Sequence, residues 1–401
     1  MLENFLREYN LNRIFLSNIG FWPFQNKRVR ILLQTLCFLL EMSYCPFEIL
    51  LLCDHWDDGQ MIFEGCYQIV LSASFLVRLI NEVWNRNEAC DDQMIHLYQT
   101  IDDHWNIFTN DIEVRVLKDY SILSKKFTRY YSLLMYCLMS GFIVIPLTPV
   151  FLDVVLPLYN ATRPRFLAFE VEFRIDTDEY FLFCFGYTTA IAIVGISIMV
   201  SVDAMRIACT AHACSLFMAV SQRLESIIVE ANGDEKKLDG YEHRKLTSKE
   251  SELREETMYR DYIGCLKKHQ LAIEFVNIME SSYKGLSLSL LLLSIATLSL
   301  IGIRIIYVLD QLGEAIRFAF IIVGALMTVL IPCYSGQKLI DESQNVFYRA
   351  YAVDWYNFSP RLKSLLMITL SRSNIPCDLK AGNMISLSIA TYAAVSVCVC
   401  V

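Results

Sequence analysis

The sequence predicts an all-α membrane protein with seven transmembrane helices, its N-terminus cytoplasmic, its C-terminus extracellular and its helices extended into a cytoplasmic anchor region. Three observations carry that prediction. The 401 residues are 55% hydrophobic and only 19% charged, with a mean hydropathy of +0.38, a balance rare in soluble domains of this length. Five uncharged apolar stretches are each long enough to cross a bilayer, which takes about 20 residues at helical rise. Lysine and arginine crowd into alternate connections between the stretches, as cytoplasmic loops require.

Residues 1 to 30 form a cytoplasmic N-terminal segment. It is not a cleavable signal, because Arg7 and Arg13 interrupt the first twenty residues and no apolar core precedes small residues. Span 1 covers residues 31 to 53 and span 2 residues 61 to 80. Both carry charge, Glu41 and Glu48 in the first, Glu64 and Arg78 in the second. A charge within a span costs about 2.5–3.5 kcal/mol on insertion scales, and such charges face a protein interior or a wet cavity. Glu64 and Arg78 lie about 21 Å apart along a helix, so they cannot pair with each other; each snorkels or finds an interior partner. Spans 3 to 6 are residues 130 to 152, 180 to 202, 285 to 303 and 318 to 336, and span 7 is residues 383 to 401, all free of Asp, Glu, Lys and Arg. Spans 1 to 6 thus occupy residues 31 to 336, with a long cytoplasmic stretch at 203 to 284. Residues 337 to 382 form a cytoplasmic anchor segment. Pro146, Pro149 and Pro332 predict kinks in their spans.

The positive charges set the orientation. Residues 1 to 30 hold five Lys and Arg, residues 81 to 129 six, residues 203 to 284 twelve and residues 337 to 382 six. The intervening loops are poor in them; residues 153 to 179 carry three against six acids. The sequon Asn160-Ala161-Thr162 therefore falls outside, where Asn160 is a glycosylation site, and Asn357-Phe358-Ser359 falls inside and stays bare. The net charge of −8 mixes loops of both faces and says nothing about nucleic acid, for which the sequence offers no binding signal. Most of the 14 cysteines lie within apolar stretches and read as small hydrophobes. From Val202 to about Ala231 the pattern stays helical, so span 4 runs on beyond the membrane. Asn232 to Glu256 is dense in charge and predicts a solvated, mobile connection. No internal repeat suggests inverted halves.

No nucleophile motif, phosphate loop or metal-ligand spacing occurs, so the expected function is neither an enzyme's nor dependent on a metal or cofactor. His212 and His269 predict hydrogen bonds in the cytoplasmic region. Aromatic and small polar residues in the outer halves of the spans, Phe63, Tyr67, Phe142, Pro146, Thr148, Phe183, Tyr187 and Thr188, line a small apolar ligand pocket or else serve helix packing and lipid contact.

The run from Tyr348 to Thr391 resembles the C-terminal signature of insect odorant receptors. Trp355-Tyr356, Lys363, Leu366, Met367, Arg372, Pro376, Leu379, Ala381-Gly382, Ser386-Leu387 and Thr391 fall at that family's order and spacing. Gly20-Phe21-Trp22-Pro23 is similar to its motif ahead of span 1, and Asp203, His212 and His269 fit its approaches to spans 4 and 5. The resemblance implies a ligand-tuned subunit that joins a shared co-receptor in a tetrameric, non-selective cation channel of the sensory-neuron plasma membrane, gated by a small volatile ligand bound among spans 2, 3, 4 and 6. The extended loop of the co-receptor between spans 4 and 5 is absent. The family makes its subunit contacts on the anchor segment, which implicates Trp355, Tyr356, Arg372 and Pro376; packing within one subunit is the alternative. Its last span lines the pore, where Thr391, Val395 and Val399 share one helix face by their four-residue steps. The sequence stops at Ser-Val-Cys-Val-Cys-Val, about ten residues short of the family pattern, so the resemblance predicts a span that inserts without the usual outer mouth. Gustatory receptors are similar, but Cys398-Val399 stands where they carry Gln-Phe. A G-protein-coupled receptor also has seven spans, yet begins outside and carries Asp-Arg-Tyr and Asn-Pro-x-x-Tyr motifs that do not occur here.

Overall fold

A computed structural model describes the chain except Met1, residues 85 to 92, 157 to 162, 164 to 166, 168, 170, 177, 178, 239 to 247 and 309 to 311, and Val401. Two short helices, α1 (Glu3–Glu8) and α2 (Asn10–Asn18), precede α3 (Lys27–Asp54) and α4 (Gly59–Trp84). α5 (Gln93–Ile107) leads to the long helices α6 (Asp111–Val155), α7 (Phe181–Leu238), α8 (Ser248–Val308) and α9 (Leu312–Tyr351). α10 (Pro360–Ser373), the two-residue strands β1 (Lys380–Ala381) and β2 (Ile385–Ser386), and α11 (Ile389–Cys400) close the described chain.

Six of these helices, α3, α4 and α6 to α9, are long and apolar enough to cross a membrane. Their outward faces carry Leu32, Leu36, Leu39, Leu133, Leu182 and Leu292, all exposed, which only an apolar solvent tolerates in such number. Starts are set by capping. The Asn26 side chain accepts from the Arg28 amide at the head of α3, and Asn110 with Glu113 forms a capping box on α6. Pro46, Pro146, Pro149 and Pro332 all lie inside continuous helices.

α7 is the central post, in contact with α2, α3, α4, α6, α8 and α9. Small buried residues, Ala204, Ala208, Ala213 and Ala219, let its neighbours approach closely. The N-terminal helices clamp onto it: Asn12 donates to the Ala204 carbonyl at 2.7 Å, and the Ser201 hydroxyl donates to the Phe15 carbonyl at 3.1 Å. Gly20, at φ +76, turns the chain where a Cβ would meet the Arg30 carbonyl at 2.8 Å. That turn stacks Trp22 on Phe5 and Tyr98, with ring centroids 5.7 and 5.8 Å apart. Here too His212 meets His104 at 3.2 Å and the Tyr9 hydroxyl at 3.4 Å, as its expected hydrogen-bonding role requires. Burial pushes His104 down to about 4, so its imidazole is neutral at neutral pH and accepts or donates without a buried charge. His269 packs edge-on against Phe217.

Two expectations about elements need correction. Helix occupies much of the charged stretch from Asn232 to Glu256, since α7 runs to Leu238 and α8 starts at Ser248; a charged sequence free of proline can stay helical in water with its side chains solvated. The last span does not start at Asn383. Gly382 and Asn383 both take positive φ, near +62, which breaks a helix and folds residues 380 to 386 into the β1–β2 hairpin. α11 therefore begins at Ile389 and its described 12 residues rise about 18 Å.

Candidate functional site

A cavity of about 110 Å³ lies at mid-span among α4, α6, α7, α8 and α9. Its walls are apolar and adaptable: Phe75 from α4, Met135 and Met139 from α6, Met199 from α7, and Phe320 and Gly324 from α9. Thioethers fill irregular space and repack around different shapes. Glycines set the aromatic walls, because a Cβ at Gly195 would meet the Phe75 ring at 2.6 Å and one at Gly141 the Phe320 ring at 3.0 Å. Two of the hydroxyls that line it turn back to their own helices, Thr297 to the Leu293 carbonyl and Thr328 to the Gly324 carbonyl. The walls thus present mainly methyl, thioether and ring surface, with the hydroxyls of Ser74 and Ser294 beside it, suited to a small, largely apolar molecule.

The eight candidate pocket residues are not brought together. Phe142 lines this cavity, and Pro146 is buried one turn farther along α6. Tyr67 packs edge-on against Phe318 and donates to Glu64. Tyr187 shares a hydrogen bond with Ser43 and packs on Tyr44, Phe47 and Phe173. Thr188 is buried and bonds back to Cys184, whereas Thr148 and Phe183 face outward, Phe183 with 73% of its surface exposed. Phe63 is half-buried near the N-terminal end of α4. The cavity lies one to two turns deeper than the aromatic positions, and its methionines and glycines carry no distinctive pattern in the sequence.

The two charged residues of span 2 are paired across helices, whereas among the described residues Glu41 and Glu48 of span 1 face no cation. Glu64 on α4 is 0% exposed and takes Arg317 at 3.0 Å and Arg304 at 3.3 Å, from α9 and α8. Tyr67 and Gln68 donate to the same carboxylate. Fourteen residues along, Arg78 meets Asp203 of α7 at 3.3 Å, and the Tyr131 hydroxyl of α6 donates to that carboxylate at 3.0 Å. Both charges of span 2 therefore have interior partners, and the cavity lies between them.

α9 connects this cavity to the last helix. It lines the cavity from Phe320 to Thr328 and then, at Gly336, lies so close to the Leu387 carbonyl that any Cβ would collide with it. The hairpin before α11 is tied to α8 as well, by the Gly382 amide to the Lys284 carbonyl at 3.0 Å. The two described side chains of the expected pore face make contacts within the subunit. Val395 is buried, in the cluster of Leu298, Val329 and Cys333, and Thr391 donates to the Ser386 carbonyl; Val399 lies in α11, its side chain outside the described residues. Packing within the subunit claims that face, and the exposed described positions of α11 are Ile389, Ala390, Ala393, Ala394 and Val397.

The model of the 7tm Odorant receptor family matches residues 58–399 of this chain. The chain belongs to that odorant receptor family. Among curated Drosophila melanogaster relatives, Odorant receptor 67a is 34% identical over 23% of this chain and 22% of its own length. Odorant receptor 13a is 19% identical over 65% of this chain and 61% of its own, and the Odorant receptor coreceptor is 25% identical over 35% and 29%. The chain thus spans less than two thirds of these relatives. The insect olfactory receptor OR5 from Machilis hrabei superposes with a TM-score of 0.72 at 13% identity, over 100% of this chain and 97% of that one; the same receptor in complex with eugenol gives 0.69 at 14%. At such identities the likeness is one of fold, that of a seven-helix receptor.

On the anchor segment of this odorant receptor, Trp355 and Tyr356 pack on each other yet stay exposed, as does Arg372; Pro376 is half-buried. Met367, Ile368 and Ile375 extend the exposed apolar surface around them. Asn160 lies outside the described residues.

The paired charges yield a test. Asp203→Leu strands the Arg78 guanidinium in the interior and should cost about 3–5 kcal/mol, read as a lower thermal midpoint of the detergent-solubilised receptor. Adding Arg78→Met should restore more than half of that loss; losses that simply add would show that the two side chains do not interact.

Proposed function

We propose that this receptor is the odorant-binding subunit of a ligand-gated, non-selective cation channel, assembled with a co-receptor in a tetramer of the sensory-neuron plasma membrane. The observation that carries the reading is the mid-span cavity, whose largely apolar walls suit a small volatile and which touches the helix leading to α11. The eugenol-bound Machilis receptor supports the ligand class, and the relationship to a co-receptor supports the partner. The exposed Trp355, Tyr356, Met367 and Arg372 are of the kinds enriched at subunit contacts. The lysine and arginine bias supports a cytoplasmic N-terminus, and the exposed small residues of α11, Ala390, Ala393, Ala394 and Val397, are the ones free to meet a pore axis.

Filling the cavity tests the core of this reading. In cells that co-express the co-receptor, Gly324→Phe should raise the odorant concentration for half-maximal current at least tenfold, about 1.4 kcal/mol of binding, with surface delivery unchanged. Unaltered currents would mean that the ligand binds elsewhere. The orientation and the pore face are checked in the same cells. Asn160→Gln should remove an endoglycosidase-sensitive shift, and Val397→Cys should make the current sensitive to a water-soluble thiol reagent while Val395→Cys does not. Sugar on Asn357 instead would invert the topology, and equal sensitivity at both cysteines would reject this pore face.

A further inference from the structure

Beside the odorant cavity lies a second, smaller hollow, lined by Tyr44 and Glu48 of α3 and Gln68 and Ser72 of α4. Phe75 and Phe169 line both spaces, so the two share a wall. The hollow measures about 10 Å³, room for about one water or one polar head group.

Its polar groups differ in what they have left to give. Tyr44 donates to Gln68 and Gln68 donates to Glu64, so both are turned toward the carboxylate that Arg304 and Arg317 already neutralise. Glu48 is different. It is 1% exposed and receives one hydrogen bond, from the Ser72 hydroxyl at 2.6 Å, and among the described residues no cation faces it. A carboxyl group has room for several donors, and a buried acceptor left unmatched is costly. The main cavity offers a ligand mostly apolar contact, its polar groups being the hydroxyls of Ser74, Ser294, Thr297 and Thr328, so Glu48 is the strong acceptor beside it that a donating head would meet.

We propose that this hollow seats the head group of the ligand and tunes the receptor to volatiles in which an apolar body carries a hydrogen-bond-donating head, a hydroxyl or a primary amine, that donates to Glu48. The proposal rests on the reading of the main cavity as the odorant site. A molecule of the same body with no donor leaves the acceptor unmatched, the kind of difference that polar sites discriminate best.

A matched series of octan-1-ol, octan-1-amine and 1-methoxyoctane, applied to cells expressing the receptor with the co-receptor, tests it. The alcohol or the amine should be at least tenfold more potent than the ether. Glu48→Leu should bring all three to parity with the ether unchanged, and Ser72→Leu, which fills the hollow from the facing helix, should do the same if the first variant fails to reach the surface. Glu48→Gln separates the two heads: an alcohol preference survives it, because the amide oxygen still accepts, whereas an ammonium preference is lost with the charge. A donor preference that persists in Glu48→Leu, or no donor preference in the unaltered receptor, overturns the proposal. If Gly324→Phe leaves every response intact, the cavity reading itself has failed; if Gly324→Phe silences the receptor while Glu48→Leu keeps the donor preference, only the head-group seat has.

Discussion

An ionised side chain cannot sit unpaired in a lipid-crossing helix, and the pairing of Glu64 and Arg78 sets the arrangement of everything around them. One end of the cavity stretch of α4 is held to α8 and α9 through Arg304 and Arg317, and the other to α7 and α6 through Asp203 and Tyr131. Apolar helix faces pack in several registers of similar energy, because lipid tails are as apolar as leucine. Directional ion pairs remove that freedom. Buried pairs contribute little net stability, and their effect here is to choose one register of α4 against four neighbours. The space between the two pins, about 21 Å of helix, is where the neighbouring side chains leave a cavity.

From that cavity the shortest structural route to the last helix runs along α9. Phe320 and Gly324 face the cavity, and Gly336, about three turns beyond Gly324, touches the backbone at Leu387. A backbone contact that excludes even a methyl group transmits a shift of one element to the other with no side chain to absorb it. The hairpin between them is tied to α8 as well, so α11 moves with the two helices that line the ligand space. The same packing explains why Val395 faces inward: an apolar residue beside Val329 and Cys333 gains more from burial there than from a wet axis.

Much of this was legible in the sequence. Uncharged stretches of about 20 residues leave one explanation, and the dense spacing from Trp355 to Thr391 pointed to the family that the chain proved to belong to. The fate of Glu64 and Arg78 was legible as a requirement for interior partners, but Arg304, Arg317 and Asp203 lie in other spans, and no local pattern names them. Phe183 and Thr148 drew notice as an aromatic and a hydroxyl residue but face outward, while Met135, Met199 and Gly324 become a cavity wall only where α6, α7 and α9 meet. A four-residue step grouped Thr391 with Val395 correctly, but periodicity cannot say which face of a helix turns inward. The start of α11 depends on the positive φ of Asn383 beside Gly382, which composition in an apolar run does not announce.

The central claim is that ligand binds between the two charge pins of α4. Photolabelling measures this most directly: an agonist of the receptor bearing a diazirine on its alkyl body is irradiated on the assembled receptor, and the modified peptides are mapped by mass spectrometry. The account predicts adducts on residues 135 to 142 of α6 and 320 to 328 of α9, competed away by the unlabelled agonist. Competed adducts confined to the outward positions around Leu182 and Phe183, with none on those two stretches, would contradict it.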